Sequence, residues 1–361
     1  MKVVVLGASG NVGTAVLRAL RAANDVTEVA AVARRIPRRT PPAPYDIATW
    51  TSVDIGSRDG RQVTRTLARA MEGADAVIHL AWAIQPNHDR DRLRRTNILG
   101  TSRVLDAARS AGVDHVVVAS SVGAYSPCHD DQFHDESWPT MGVPTSEYSV
   151  DKADLEELLN RHQHDHPEVL ITRLRPAMIF QHDAGSEIMR YFIGRLVPGI
   201  AFNGHLPAIT WPDDTRIQAL HADDVAQAYL GAVRTRPGGA LNVAADDVLG
   251  GPHIASLLSD GRFQRVPTLA VRAAVSAGWN ARILPVSPGW VDMAATFTLM
   301  STARARSVLG WAPRHTALDT VAEVLDGMVK GAGTASPPLR PRGGAASSRW
   351  RRDSTPARSL E

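Results

Sequence analysis

The sequence predicts an α/β fold: a doubly wound parallel sheet, a smaller C-terminal subdomain and a disordered basic tail. Three observations carry this. Short apolar runs alternate with helix-length amphipathic segments through the first half, a glycine-rich turn follows the first run directly, and the pattern loosens into Pro- and Gly-punctuated segments after Pro176.

The apolar runs are 3–6, 29–33, 76–80, 115–120 and 169–174. They are rich in valine and isoleucine and do not alternate with polar residues, which suits strands buried on both faces. Helical stretches at 11–23, 93–111 and 149–161 lie between them, and strand–helix–strand repetition gives a parallel sheet covered on both sides. With 361 residues, the chain has room for about two domains. The expected division is 1–175, 176–330 with some segments returning to the sheet, and a tail at 331–361.

Composition excludes several classes. At 44% hydrophobic residues the chain is neither disordered nor fibrous, and it has no apolar stretch of the length, about 18 residues, that spans a membrane. One cysteine, Cys128, leaves no disulfide framework and no cysteine-rich zinc site. The N-terminus enters the first strand directly rather than reading as a secretory signal, so a soluble cytoplasmic protein is expected. The net charge of +3 comes from the tail, where six arginines face two acids; residues 1–330 carry about −1. The body therefore lacks the basic excess that nucleic-acid phosphates require. Rich in Pro, Gly, Ser and Ala, the tail is expected to stay solvated.

Gly7-Ala8-Ser9-Gly10-Asn11-Val12-Gly13 follows the first strand and opens the first helix. A tight turn there needs residues without a Cβ, and backbone N–H groups at a helix N-terminus cradle a pyrophosphate, which points to a dinucleotide and a Rossmann-type domain. At the end of the second strand, where an acid normally binds the ribose hydroxyls of NAD, stand Arg34 and Arg35. Two guanidinium groups favour a 2′-phosphate and hence NADP over NAD; the alternative is a solvated basic loop continuing into Arg38 and Arg39. Asp54 and Ile55, which end a third strand, are placed to meet the adenine.

Tyr148 and Lys152 lie four residues apart on one face of a helix. A phenol is a poor proton carrier at neutral pH, but a nearby ammonium favours the phenolate, letting Tyr148 exchange a proton with a substrate oxygen while a nicotinamide takes or gives hydride. Ser120 and Ser121 end the preceding strand, where a hydroxyl can polarise the same oxygen.

Together, the Gly-x-x-Gly-x-x-Gly turn, His79-Leu80-Ala81, Ser120-Ser121-x-x-x-Tyr125 and Tyr148-x-x-x-Lys152 resemble the extended short-chain dehydrogenase/reductases, the NAD-dependent epimerase/dehydratase family. Further landmarks run to Leu309-Gly310-Trp311-x-Pro313, so the resemblance covers about residues 1–328. It implies Ser121 and Tyr148 as catalytic hydroxyls, and Lys152 as the group that lowers the phenol and holds the nicotinamide ribose. It also places Leu80, Ala81, Trp82, Asn97, Ser120, Pro176 and Met178 at the cofactor and makes a helix-paired homodimer the default. Two departures stand out: Met178 follows Leu-Arg-Pro where sugar-nucleotide members commonly carry an asparagine, and Ile217 stands where they often have an arginine, with Arg216 one residue off. Losing hydrogen-bonding groups that a buried diphosphate needs points to a less charged, relatively apolar small-molecule substrate. A nucleotide-sugar epimerase or dehydratase and a non-catalytic dinucleotide sensor are the competing readings. The alternating His162, His164 and His166 do not fall on one side of a helix, and no metal site is expected.

Overall fold

In the computed structural model, which describes residues 1–85, 88–194, 197–213, 215–343 and 350–351, the first apolar run forms the interior strand β1 (Lys2–Leu6). Side chains point to alternate faces of a strand. Accordingly Val3 and Val5 enter one apolar cluster, and Val4 and Leu6 enter another. Six further strands join it: β2 (Glu28–Ala33), β3 (Ala48–Ser52), β4 (Ala76–His79), β5 (His115–Ala119), β6 (Leu170–Pro176) and β7 (Gly239–Val243). The order across the sheet is β7-β6-β5-β4-β1-β2-β3, and every pairing is parallel. Strand order reverses between β1 and β4, so a crevice opens at their C-terminal ends, where doubly wound sheets bind ligands.

Two helices, α1 (Asn11–Ala22) and α5 (Ala222–Thr235), close one face of the sheet through Val16, Leu20, Val225 and Tyr229. On the other face lie α2 (Gly60–Met71), α3 (Gly100–Ser110) and α4 (Glu147–Asp165), contributing Leu67, Val104, Leu105, Leu155 and Leu159. The helix expected over 93–111 is not one α-helix. A short α turn (Arg90–Arg94) passes through a π turn (Arg95–Leu99) before α3 begins. Such wide turns are frequent at functional sites, and this one carries Asn97.

The second half of the chain is more broken. It returns β7 and α5 to the sheet and otherwise supplies small strands, short turns and the helices α6 (Thr268–Asn280), α7 (Gly289–Ala295) and α8 (Ala317–Lys330). Of the tail expected to be disordered from residue 331, residues 331–343 and 350–351 are described, and they pack on the fold. Ser336 and Leu339 are fully buried, and the Trp350 ring lies edge-on to Tyr45 and Trp50 at 5.6 and 5.1 Å. Low apolar content argues against an independent core, not against docking on one already formed. Residues 344–349 and 352–361 lie outside the described part. Among the described residues, no helix is long and apolar enough to cross a membrane.

Candidate active site and dinucleotide cleft

β1 hands over to α1 through Gly7, whose φ of +80° suits glycine alone. A Cβ at Gly7 would lie 2.8 Å from the Ala81 nitrogen, and one at Gly13 would lie 2.3 Å from the Gly7 carbonyl oxygen, so the backbone itself demands both glycines. Gly10 is different. Its nearest protein neighbour would be the Gly7 oxygen at 3.4 Å, an ordinary contact. What its missing side chain leaves open is approach to the backbone from outside, which a pyrophosphate requires. The first N–H groups of α1, at Asn11 and Val12, have no intrahelical acceptor and complete an anion-binding cradle. The Asn11 side chain is turned elsewhere: it donates to Ile179 O and accepts from Gln181, tying the loop to the strand Met178–Phe180.

The walls of the crevice follow. Leu80 continues the ladder by donating to Leu6 O, and Ala81 packs against Gly7. Asn97 grips the next loop with both ends of its amide, accepting from Ala83 N at 2.8 Å and donating to Ala83 O at 2.9 Å. Its role beside the cleft is thus to hold Trp82 and Ala83 in place. Arg34 is exposed and Arg35 half-buried beyond β2, and both charges act on Tyr191 from the second half. Asp54 spends one carboxylate oxygen on Gly56 N, while Ile55 is buried against Gly100. Pro176 ends β6, and Met178 is half-buried just beyond it.

α4 starts with Ser146 as its cap, accepting from Ser149 N, and Ser149 Oγ donates to Gly123 O at 2.5 Å. These bonds seat the helix on the turn Val122–Ala124 after β5. As a result Tyr148 comes within reach of the Ser121 hydroxyl, which acts on the phenol, and Ser121 Oγ accepts from Gly123 N at 3.0 Å. Gly123 has no room for a Cβ, which would sit 2.8 Å from the Tyr148 ring. One turn later Lys152 donates to Ala119 O at 2.8 Å and lies 3.6 Å above the Trp82 ring and 5.9 Å from that of Tyr148. The three side chains expected to act together therefore converge.

Their electrostatics differ from the expectation. Burial pushes the Tyr148 phenol up to about 12, with the Ser121 hydrogen bond working the other way. Burial also pushes the Lys152 ammonium down to about 7, opposed by Glu156 and Asp151. Burial dominates the phenol, and the Lys152 Nζ is engaged with Ala119 O and the Trp82 ring.

The Ser120 hydroxyl is engaged below, donating to Glu156 at 2.5 Å. Glu156 also receives Arg173 at 3.0 Å and Arg175 twice at 2.9 Å. Burial alone would raise its carboxyl, but Arg175, Arg173 and Ser120 hold it at about 2. Arg175 continues to the Tyr125 hydroxyl, which donates to Asn242 at 2.6 Å. This buried network, which sequence reasoning missed, fixes the floor under the Ser–Tyr–Lys group. A signal existed: Glu156 follows Lys152 by one helical turn, and Arg173 and Arg175 share one face of β6.

Above Tyr148 the surroundings are aromatic. Trp290 lies 4.9 Å from its ring, Trp82 is edge-on at 6.4 Å, and Phe192 stands edge-on to Trp290 at 5.2 Å. Arg216 is committed elsewhere, donating to Asp130 O and the Asp131 carboxylate. Cys128, Asp130 and His134 bring their ligand atoms within 4.8 Å of one another. The Arg216 charge beside them and the raised Cys128 thiol both oppose a cation there.

A protein-family model described as the NAD dependent epimerase/dehydratase family matches residues 3–244, spanning the glycine loop, the Ser–Tyr–Lys group and β7. The chain belongs to this family. An NAD-dependent glucose-6-phosphate dehydrogenase of Haloferax volcanii is 33% identical over 203 residues, 52% of this chain and 72% of the relative. A 4-hydroxy-2-methyl-3-oxo-4-farnesyl-3,4-dihydroquinoline-1-oxide ketoreductase of Stigmatella aurantiaca is 26% identical over 88% of this chain and 93% of its own length. Among solved structures, a dTDP-glucose 4,6-dehydratase of Streptomyces venezuelae with NAD bound superposes with a TM-score of 0.66 at 19% identity. That match covers 91% of this chain and 96% of the other. As a member of the NAD-dependent epimerase/dehydratase family, the protein is an NAD(P)-dependent enzyme, and the open backbone at Gly10 fits the pyrophosphate of that cofactor.

Proposed function

We propose that this family member is an oxidoreductase acting on a carbonyl or secondary alcohol of a small, relatively apolar molecule, with NADP favoured as its dinucleotide. The observation that carries this reading is the flanking of Tyr148 by Trp82 and Trp290, with Phe192 packed behind Trp290. Rings of this kind bury apolar substrate area and offer little to a diphosphate. The full-length likeness to a ketoreductase whose named substrate carries a farnesyl group supports it. Arg34 and Arg35 after β2 support NADP, since guanidinium groups pair well with a 2′-phosphate.

In this reading Ser121 donates to the substrate oxygen, and Tyr148 passes a proton to or from that same oxygen. The dinucleotide, when bound, supplies or accepts the hydride. Lys152 holds the nicotinamide ribose, and its ammonium works with the positive ring of an oxidised cofactor to bring the phenol down from its high unliganded value.

The test is turnover of apolar ketones and alcohols by wild type and Tyr148→Phe. Losing the phenol should cost about 10²–10⁴-fold in turnover while dinucleotide affinity holds. Undiminished turnover in the variant would refute the assignment of Tyr148. Tight calorimetric binding of UDP- or dTDP-sugars, with no turnover of apolar carbonyls, would replace the oxidoreductase reading by a nucleotide-sugar epimerase or dehydratase.

A further inference from the structure

We infer that the C-terminal segment 334–339 is a working part of the dinucleotide site: a clasp that presets the phosphate loop through Ser336, Thr334 and Tyr45. The inference rests on the assignment of residues 7–13 as the pyrophosphate-binding turn.

The clasp is a chain of hydroxyls that leaves the loop and returns to it. Thr14 Oγ1 contacts Gly10 O at 2.8 Å and the Tyr45 hydroxyl at 3.0 Å. Tyr45 lies 2.7 Å from Thr334 Oγ1, which accepts from Ser336 N at 3.2 Å, and Ser336 Oγ donates to Ser9 O at 2.8 Å. Both ends are carbonyl oxygens, which only accept, so the proton order is determined. Thr14 gives its proton to Gly10 and therefore accepts from Tyr45, Tyr45 accepts from Thr334, and Ser336 gives its proton to Ser9. Thr334 Oγ1 also stands 3.4 Å from Ser336 Oγ, but its one proton goes to the shorter contact with Tyr45, so every hydroxyl donates once. Thr14, Tyr45 and Ser336 are at most 1% exposed, so water does not substitute for any of these three hydroxyls.

The two carbonyls matter because of what lies across their peptide planes. A trans peptide points its N–H opposite its C=O. Holding Gly10 O against Thr14 therefore aims the Asn11 N–H outward, into the cradle. Holding Ser9 O against Ser336 keeps a partial negative charge from swinging into the same space, while Gly10 N is fixed on Gly7 O at 2.9 Å. The segment is itself well anchored. Arg190 donates to Pro338 O and Arg340 O, Arg342 donates to Met328 O, and Leu339 is fully buried. Farther along, Trp350 pairs antiparallel with Pro37, three residues after Arg34. The last part of the chain thus embraces the adenosine side of the crevice at two points.

Ser336→Ala and Tyr45→Phe remove one hydroxyl each and keep the packing, so both are expected to fold. Two readouts are required. Hydrogen exchange of the ligand-free protein should show residues 7–14 losing protection in either variant while β5 and α4 are unchanged. Dinucleotide titration should show Kd rising about five- to tenfold, with kcat at saturation within twofold, and the double variant no worse than the weaker single one by more than about twofold, because both break one chain. Unchanged exchange at 7–14 in both variants would overturn the clasp, as would unchanged affinity in both. Should wild type bind no dinucleotide at all, the cofactor assignment fails and the claim that the clasp serves a dinucleotide falls with it, whereas a binding wild type with indifferent variants removes the clasp alone.

Discussion

Below Tyr148 the molecule is polar and densely hydrogen-bonded; above it, the molecule is aromatic and loosely held. The floor is Glu156 with Arg173 and Arg175, side chains 1, 8 and 6% exposed, joined by short charge-assisted bonds. Apart from Trp82, the roof comes from the second half, where α6 has no buried residue and Leu269 and Ile283 are 74 and 53% exposed. A cofactor has one shape and needs one geometry, so its half repays a tightly bonded buried network. A substrate pocket has to open and close on its ligand, and such elements come from the less tightly packed end of a structure.

Breaking the floor should have the largest effect. Glu156→Ala leaves two guanidinium groups buried without their carboxylate, and denaturant unfolding is expected to show a loss of about 3–5 kcal/mol. The sign with pH is set by the depressed carboxyl. Because its folded value of about 2 lies below the ordinary 4.5, its contribution is present above pH 4.5 and lost as pH falls toward 2. Glu156→Gln should therefore flatten the stability–pH curve in that window; an unaltered curve would mean the network is not what holds the floor.

A smaller effect is expected at the adenosine end. Replacing Arg34 and Arg35 together by serine should weaken NADP about ten- to hundredfold by titration and change NAD by less than about threefold. Equal losses for both dinucleotides would show a general phosphate contact instead. The mildest change is in the roof. Trp290→Ala should raise KM for an apolar substrate about five- to tenfold while dinucleotide affinity stays within twofold. A fall in stability matching that of Glu156→Ala would erase the contrast between the two regions.

The strands and the local spacings of the site were legible in the sequence; the floor network and the roof were not. Buried parallel strands write themselves as valine runs, and the Gly7 turn and the Tyr148–Lys152 spacing are local patterns, so β1, β2, β4, β5 and β6 and the converging side chains could be read directly. Partners distant in sequence could not. Ser120 pairs with Glu156 and Tyr125 with Asn242 only because β5, β6, β7 and α4 are neighbours in space. Trp290 reaches Tyr148 through a segment with no periodicity to place it. The docking of residues 334–339 was hidden for a related reason: it depends on single hydroxyls meeting backbone carbonyls, which composition does not encode. Burial also reversed the sense of one inference, because spacing places an ammonium near a phenol but says nothing about how much water either keeps.

The account turns on whether Tyr148 becomes ionisable when the cleft is filled. The direct measurement is a spectroscopic titration of phenolate, with the Tyr148→Phe spectrum subtracted to isolate this residue among the five tyrosines, in ligand-free enzyme and with oxidised dinucleotide bound. The phenol is expected to move from about 12 to the ordinary range near 10 or below on binding, and to move less in Lys152→Met. A phenol that stays near 12 with dinucleotide bound, or that shifts equally without Lys152, would contradict it.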